Sequence, residues 1–248
     1  MFAKTKSTVV AAAAGVLFIG GTAAADIHDM AWTLNGADID LFAIGDVEDN
    51  GDGSNLWSGG DYEANPAFTV NSYACTSYLG SSDGGGGFID AEFEVTNNSN
   101  STETFQLLMT LVVGPIGPLT ERNGSVAATV TNNQFDGDAM IAAASGGSIY
   151  RAFTDLVDPF VDPPAATLWD DPYSLIASGP FATADDNTDF SAVAGGAVTN
   201  TISIMFEFEL SAGDSASVSG LFQVATIPAP GAIALLGLAG LAGRRRRR

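Results

Sequence analysis

A short acidic segment carries the clearest metal-binding chemistry in the sequence. It reads DVEDNGDGSN from Asp46 to Asn55, with carboxylate and amide oxygens at alternate positions and glycines that permit a tight turn. Hard cations such as Ca²⁺ are bound by oxygen ligands of this kind. The pattern therefore predicts a Ca²⁺ site that uses Glu48, Asn50 and Asp52.

This segment is not an EF-hand. Counted from Glu48, position 12 is Gly59, where an EF-hand needs a glutamate. A looser site needs further oxygen ligands, and Asp61 or Glu63 are the candidates downstream. The alternative is an acidic turn that is solvated and binds no ion.

The sequence offers little for catalysis. The chain has one histidine, His28, and one cysteine, Cys75, so neither a Ser-His-Asp nor a Cys-His site is expected. Cys75 is predicted to be a small buried residue. The 29 acidic residues allow many carboxylate pairs of the glycosidase type, but the sequence nominates none of them. We expect a protein that is not an enzyme and that requires no cofactor, with Ca²⁺ as the one candidate ion.

Charge is distributed unevenly along the chain. From residue 26 to residue 226 the only basic residues are Arg122 and Arg151, against all 29 acidic residues, which gives this part a formal charge of −27. Such a surface repels nucleic acid, so nucleic-acid binding is excluded. Cations and neutral polymers such as polysaccharide are the partners that this charge favours.

Two stretches alternate between apolar and polar residues with the period of a β-strand. In the first, Phe88–Thr96 and Phe105–Val113 flank a polar segment, which predicts a hairpin with one buried face. In the second, a strand from Ile202 to Leu210 and a strand from Ala216 to Val224 flank the turn Ser211–Asp214, which predicts another hairpin.

Other segments complete the expected fold. Further strands are predicted at Ala31–Phe42, Phe68–Ala74 and Val126–Thr131, and short helices at Asp138–Ala144 and Ser148–Leu156. Period-two runs separated by Gly, Asn and Ser turns favour an all-β protein. We expect an antiparallel β-sandwich of the jelly-roll or immunoglobulin-like kind.

A proline-rich excursion interrupts these strands. It reads DPFVDPPAATLWDDP from Asp158 to Pro172 and contains Phe160 and Trp169. It is interpreted as a packed loop. The alternative is a ligand-contacting loop of the kind that carbohydrate-binding sandwiches carry, in which an aromatic ring stacks on a sugar.

The N-terminus has the three parts of a secretory signal peptide. Lys4 and Lys6 precede an apolar run, and Ala23 and Ala25 stand at the −3 and −1 positions of a cleavage site before Asp26. Residues 1–25 are thus predicted to direct export, with Asp26 as the new N-terminus.

The C-terminus combines three further features. Pro228, Ala229 and Pro230 precede 13 uncharged residues, and the sequence closes on Arg244, Arg245, Arg246, Arg247 and Arg248. As a helix the apolar segment would span roughly 20 Å, short of a hydrocarbon core of about 30 Å. The arginines would remain on the cytoplasmic side. These features predict a marginal transmembrane helix.

This order of proline pair, short apolar helix and arginine cluster resembles the PEP-CTERM sorting signal, with Ala229 in place of the middle glutamate. The resemblance covers residues 227–248. It implies recognition by an exosortase-type processing enzyme, transient anchoring in the membrane, and release to the cell surface or extracellular matrix. It also implies association with exopolysaccharide and biofilm.

The sequence thus divides into a signal peptide (1–25), an exported β-sandwich domain (26–226) and a sorting segment (227–248). The expected function is that of a non-enzymatic surface or matrix protein. Two alternatives remain: a carbohydrate-binding module or carbohydrate-active enzyme on the same scaffold, and a periplasmic protein that stays anchored in the membrane.

Overall fold

The computed structural model describes residues 28–34, 37–40, 46–49, 54–65, 68–79, 86–135 and 137–227. In these residues the chain forms two packed antiparallel β-sheets, as the alternating sequence predicts. No helix of the described part is long and apolar enough to cross a membrane. The predicted signal peptide and the residues after Ile227 lie outside the described ranges.

The first sheet, sheet A, has eight strands: β1 (His28–Leu34), β2 (Ala37–Asp40), β7 (Glu103–Val112), β9 (Asp138–Ala143), β10 (Ser148–Thr154), β11 (Ala166–Asp170), β12 (Ser174–Ser178) and β14 (Thr201–Leu210). The order is β11-β10-β14-β7-β1-β2, and β9 pairs with both β14 and β12.

The second sheet, sheet B, has seven strands: β3 (Asp46–Asp49), β4 (Ser54–Asn65), β5 (Phe68–Leu79), β6 (Gly86–Asn97), β8 (Thr120–Thr131), β13 (Thr183–Gly195) and β15 (Ser215–Thr226). Their order is β13-β8-β15-β6-β5-β4-β3. The strands predicted at 68–74 and 126–131 are confirmed as parts of β5 and β8, and the one predicted at 31–42 forms the paired strands β1 and β2.

The core lies between the sheets and is built from the inward faces of the alternating strands. On β6 and β7 the buried apolar residues are those predicted from the period of two: Ile89, Ala91, Phe93, Val95, Phe105, Leu107, Met109 and Leu111. Aromatic rings concentrate at the centre. Phe93 on sheet B lies 6.2 Å from Phe208 on sheet A, measured between ring centroids. Burial of these faces is the dominant favourable contribution to folding.

Both predicted hairpins are wrong in their pairing. β6 lies in sheet B and β7 in sheet A, and β14 and β15 are divided in the same way. The two strands of each predicted hairpin therefore lie on opposite sides of the core. Within the sheets, β7 pairs with β14 and β6 with β15. Alternation shows which face of a strand is buried, but a hairpin and a crossing between sheets produce the same alternation.

The buried Asn97 side chain stabilises both connections that cross between the sheets, the one after β6 and the one after β14. The Asn97 side-chain amide donates to the carbonyls of Ser101, Leu210 and Ser211 at 2.9, 2.9 and 3.1 Å. Its side-chain oxygen accepts from the Ser99 amide at 3.0 Å. Asn97 is fully buried, so these bonds satisfy backbone groups that have little access to water.

The two predicted helices are wrong. Residues 138–143 form β9 and residues 148–154 form β10, which pair with successive segments of β14. In β10, Ile149 and Phe153 are as buried as Tyr150 and Ala152. A strand that is buried on both faces loses the alternation that identifies strands in sequence.

Candidate functional site

The outer face of sheet B carries a groove of about 400 Å³. It lies across four neighbouring strands, β6, β15, β8 and β13. Its side chains include Asp90, Ser125, Asn187, Asp189, Ser219 and Leu221. We call this feature the sheet B groove.

Strand register explains the composition of the groove. Leu221 pairs with Asp90 on one side and with Ser125 on the other, and Ser125 pairs with Asp189. These four residues therefore form one row across the sheet. A second row of residues lies beside the first on the same outer face. It runs across the strands from Glu92 through Ser219 and Ala127 to Asn187.

The two rows share a pattern. The central strands β15 and β8 contribute mainly short side chains, and the flanking strands β6 and β13 contribute carboxylates and an amide. Short side chains form a floor below the longer side chains at the two margins. The groove is therefore a trough with a mixed polar and apolar floor between acidic margins.

The width of the trough limits what it can bind. Asp90 and Asp189 are three strand spacings apart, about 14 Å between Cα atoms. Ca²⁺ needs ligands within about 2.6 Å, so one ion cannot be shared by both margins. The trough instead suits an extended ligand that donates hydrogen bonds to the carboxylates and to the Ser125 and Ser219 hydroxyls.

The electrostatic environment of Asp90 is distinctive. Partial burial removes water from its carboxyl group and raises its pKa. The inward-facing Cys75 lies in the adjacent strand β5, and the negative charge of Asp90 contributes to the raised pKa of its thiol. Asp90 therefore lines the trough and also affects the ionisation of the buried Cys75.

The predicted Ca²⁺ segment is described only in part. Glu48 is exposed on the edge strand β3, opposite Leu56 of β4, while Asn50 and Asp52 lie outside the described residues. Among the residues that the structure describes, no three His, Cys, Asp or Glu side chains are placed to hold a metal ion. The site at Glu48, Asn50 and Asp52 stays a prediction.

Completion of that site by Asp61 or Glu63 is wrong for an ion bound to Glu48. Asp61 and Glu63 lie further along β4 than Leu56, by roughly 17 and 23 Å at the rise of a strand. Carboxylate side chains extend only a few ångströms, so these residues cannot share an ion with Glu48. The extended form of β4 creates this separation, which sequence proximity conceals.

Cys75 is buried, as predicted. Burial, with a smaller contribution from Asp90, raises the pKa of its thiol to about 12. Nucleophilic cysteines have a lowered pKa and access to substrate.

The two aromatic residues of the proline-rich excursion are separated. Phe160 is exposed in the loop after β10. Trp169 is on β11, next to Asp170, which pairs with Ser148 at the start of β10. The Trp169 ring stacks on Tyr173 with 4.7 Å between centroids, and the Tyr173 hydroxyl donates to Asp186 at 2.9 Å. Phe160 and Trp169 therefore do not form one sugar-stacking platform.

Several predicted residues lie outside the described ranges. They are the cleavage-site residues Ala23, Ala25 and Asp26, and the sorting-signal residues Pro228, Ala229, Pro230 and Arg244–Arg248. The sheet B groove, in contrast, is a site that sequence reasoning missed. Its only sequence signal is the run of outward acids Asp90, Glu92 and Glu94 on β6.

No protein-family model matches this chain. No curated protein matches it either.

Proposed function

We propose that this chain is an exported, non-enzymatic protein of the cell surface or extracellular matrix. The observation that carries the proposal is the sequence from Ile227 to Arg248, with its proline pair, apolar segment and arginine cluster. In this proposal the chain is exported after cleavage before Asp26 and is held briefly in the membrane. An exosortase-type enzyme then releases the β-sandwich.

The position of the last strand supports this order of events. β15 ends at Thr226, two residues before Pro228. The Ile227 amide donates to the Leu119 carbonyl at 3.0 Å, so the sandwich remains structured up to the residue before the proline pair. Cleavage after this point would leave β15 and its pairs with β6 and β8 complete.

The environment of Cys75 supports the non-enzymatic part of the proposal. Its thiol is buried between the sheets and has a pKa of about 12, so at neutral pH it is a thiol and not a thiolate. We propose further that residues 26–226 are one domain, and that its sandwich is of the jelly-roll or immunoglobulin-like kind.

The test is the intact mass of the exported protein in two bacterial strains, one with an exosortase and one with the exosortase gene deleted. We expect the first strain to yield a chain that begins at Asp26 and has lost the arginine cluster. The deletion strain should yield a membrane-bound chain that ends at Arg248. A matched variant carries both Pro228→Ala and Pro230→Ala. In the strain that has the exosortase, it should stay membrane-bound and end at Arg248.

Two results would contradict the proposal. A chain that ends at Arg248 and stays in the membrane fraction of both strains would contradict processing and favour the permanent anchor. A chain that retains residues 1–25 in the cytoplasm would contradict export.

A second candidate function is polysaccharide binding, which the sheet B groove favours. Its acidic margins and hydroxyl-bearing floor offer acceptors for the hydroxyl groups of a neutral or amino-substituted sugar chain. Binding here would give the exported domain its contact with exopolysaccharide.

A glycan array with the released domain tests this candidate. Asp90→Asn and Asp189→Asn should each weaken binding to any glycan that is retained. Asp46→Asn, which removes an exposed carboxylate on β3 away from the groove, is the matched control and should bind normally. Binding that disappears in Trp169→Ala but survives both groove variants would place the sugar at the Trp169–Tyr173 stack instead.

A further inference from the structure

The loops that connect the strands lie at two opposite ends of the sandwich. One end, which we call the tail end, consists of the loops 113–119, 155–165 and 196–200 together with Ile227. The opposite end consists of the loops 98–102, 132–135, 179–182 and 211–214. The loops 113–119 and 196–200 contain no charged residue at all.

Hydrogen bonds join the tail end into one surface. Ile227 bonds to Leu119, as described above, and Ile116 and Val198 exchange backbone hydrogen bonds of 2.8 and 3.1 Å. The Asp155 carboxylate then accepts from the amides of Thr199 and Asn200 at 2.9 and 2.6 Å. These contacts connect the last described residue to the loop that follows β10.

In that loop the carboxylates accept hydrogen bonds from the loop's own backbone amides, and the apolar side chains project into solvent. Asp162 accepts from the amides of Val157 and Asp158 at 2.8 and 2.9 Å, and Asp158 accepts from the Phe160 amide at 2.9 Å. In contrast, the side chains of Val157, Phe160 and Val161 are 89%, 66% and 77% exposed. Three large exposed apolar side chains on one short loop form an apolar patch of the kind that marks protein or membrane contacts.

The course of the chain indicates that partner. Ile227 lies on this same surface, and residues 231–243 beyond it are uncharged and apolar. If that segment enters a bilayer, at most a few residues separate the surface from the lipid. We propose that the tail end is a lipid-contacting surface, with Val157, Phe160 and Val161 inserted among the headgroups while the C-terminal segment is in the membrane. This inference rests on the proposed membrane segment and adds a second contact to it.

Such a contact would raise the membrane affinity of the chain above that of the short apolar segment alone. It would also fix the orientation of the sandwich and keep the Pro228–Pro230 region close to the bilayer, where a membrane enzyme acts. The partner lipid should be zwitterionic, because a domain with a formal charge of −27 is repelled by anionic headgroups.

The experiment places an environment-sensitive fluorophore at either end of the sandwich. Val157→Cys labels the tail end, and Phe135→Cys, at a residue that is 82% exposed, labels the opposite end. Cys75 is buried and does not compete for the label. The chain is recovered after export from a strain without an exosortase, so that the tail is retained. It is then reconstituted into phosphatidylcholine vesicles that contain brominated lipid.

We expect the label at position 157 to shift to shorter wavelength and to be quenched at least about threefold more than the label at position 135. Adding Phe160→Asp and Val161→Asp should remove this difference while the chain still floats with the vesicles. The matched pair Phe135→Asp and Phe181→Asp, which breaks an exposed aromatic contact at the opposite end, should leave quenching at position 157 unchanged.

Three results would overturn the inference, and they are distinguishable. Equal quenching at both ends, in a chain that floats with the vesicles, would leave the membrane segment intact and exclude the tail-end contact. A chain that does not float would contradict the membrane segment itself, and this surface with it. A spectral shift at position 157 without vesicles that grows with protein concentration would assign the surface to self-association.

Discussion

The Tyr150 hydroxyl of β10 donates a 2.8 Å hydrogen bond to the main-chain carbonyl of Leu221 on β15, and so connects the two sheets through the core. Tyr150 is fully buried, and burial raises the pKa of its phenol, which therefore remains a donor at any ordinary pH. Gly124 makes this contact possible, because a Cβ there would lie 2.8 Å from the hydroxyl oxygen.

We predict that Tyr150→Phe lowers the free energy of unfolding by about 1–2 kcal/mol, because the buried Leu221 carbonyl loses a donor. Urea denaturation measures this change. Tyr173→Phe is the control, since its hydroxyl bonds to Asp186 at the surface, and it should cost less. Equal losses in the two variants would show that the bond between the sheets has no special importance.

Asn97→Ala should be among the more destabilising polar substitutions in the described part of the chain. It removes donors from the carbonyls of Leu210 and Ser211 and disturbs both crossings, at an expected cost of about 3 kcal/mol. The neighbouring Asn98→Ala loses only an exposed bond to Thr69 and should stay within about 0.5 kcal/mol of the unchanged protein. Chemical denaturation of the two variants provides the comparison, and similar midpoints would refute the role of Asn97.

Asp155 should make stability depend on pH. Burial of its carboxyl opposes ionisation, but backbone donors from Asn200, Thr199 and Thr201 outweigh that effect and lower its pKa. The stabilisation is thus present above the unfolded-state pKa of about 3.9 and is lost as the pH falls through the lower pKa of the folded state.

The matched substitution is Asp155→Asn, because asparagine tolerates the positive φ of 54° at this position. At pH 7 we expect it to cost about 1–2 kcal/mol, since hydrogen bonds to a charged group become bonds to a neutral one. Thermal unfolding from pH 7 to pH 3 should show the difference between the two proteins shrinking below about pH 4. A difference that stays constant over this range would contradict the assignment.

Cys75 should not react with thiol reagents in the folded protein. A thiol with a pKa of about 12 has a thiolate fraction of only about one in ten thousand at pH 8, and its burial blocks access. Maleimide labelling followed by mass spectrometry should show modification in urea and none in buffer within an hour. Rapid labelling in buffer would show that the region around β5 opens.

Ca²⁺ should raise the melting temperature of the protein if the acidic segment binds it. Asp52→Ala should abolish the increase, whereas Asp185→Ala, on the distant edge strand β13, should preserve it. Differential scanning calorimetry with and without millimolar Ca²⁺ tests the prediction. No increase in the unchanged protein would show that the segment is a solvated acidic turn.

The sequence alone determined which residues of the long strands are buried. Alternation in β6, β7 and β15 identified the apolar residues that form the core, because a strand with one buried face must place apolar side chains at every second position. In β14 the same pattern missed Ser203 and Met205, which are buried on the other face. The sequence also determined the charge of residues 26–226 and the sequence features of both termini, since these depend on composition and order and not on contacts.

Only the tertiary structure decided how those strands pair. The connection after Asn97 has the length of a hairpin turn, yet it crosses between the sheets. Asn97 bonds to the backbone of both crossings, and the apolar faces of β6 and β7 are both buried in the core between the sheets. β10 escaped recognition as a strand because both of its faces are buried. The sheet B groove likewise exists only through register, which sets Asp90, Leu221, Ser125 and Asp189 side by side although they are far apart in the chain. Local periodicity records what a strand buries, whereas pairing and register depend on contacts between distant segments that no local pattern contains.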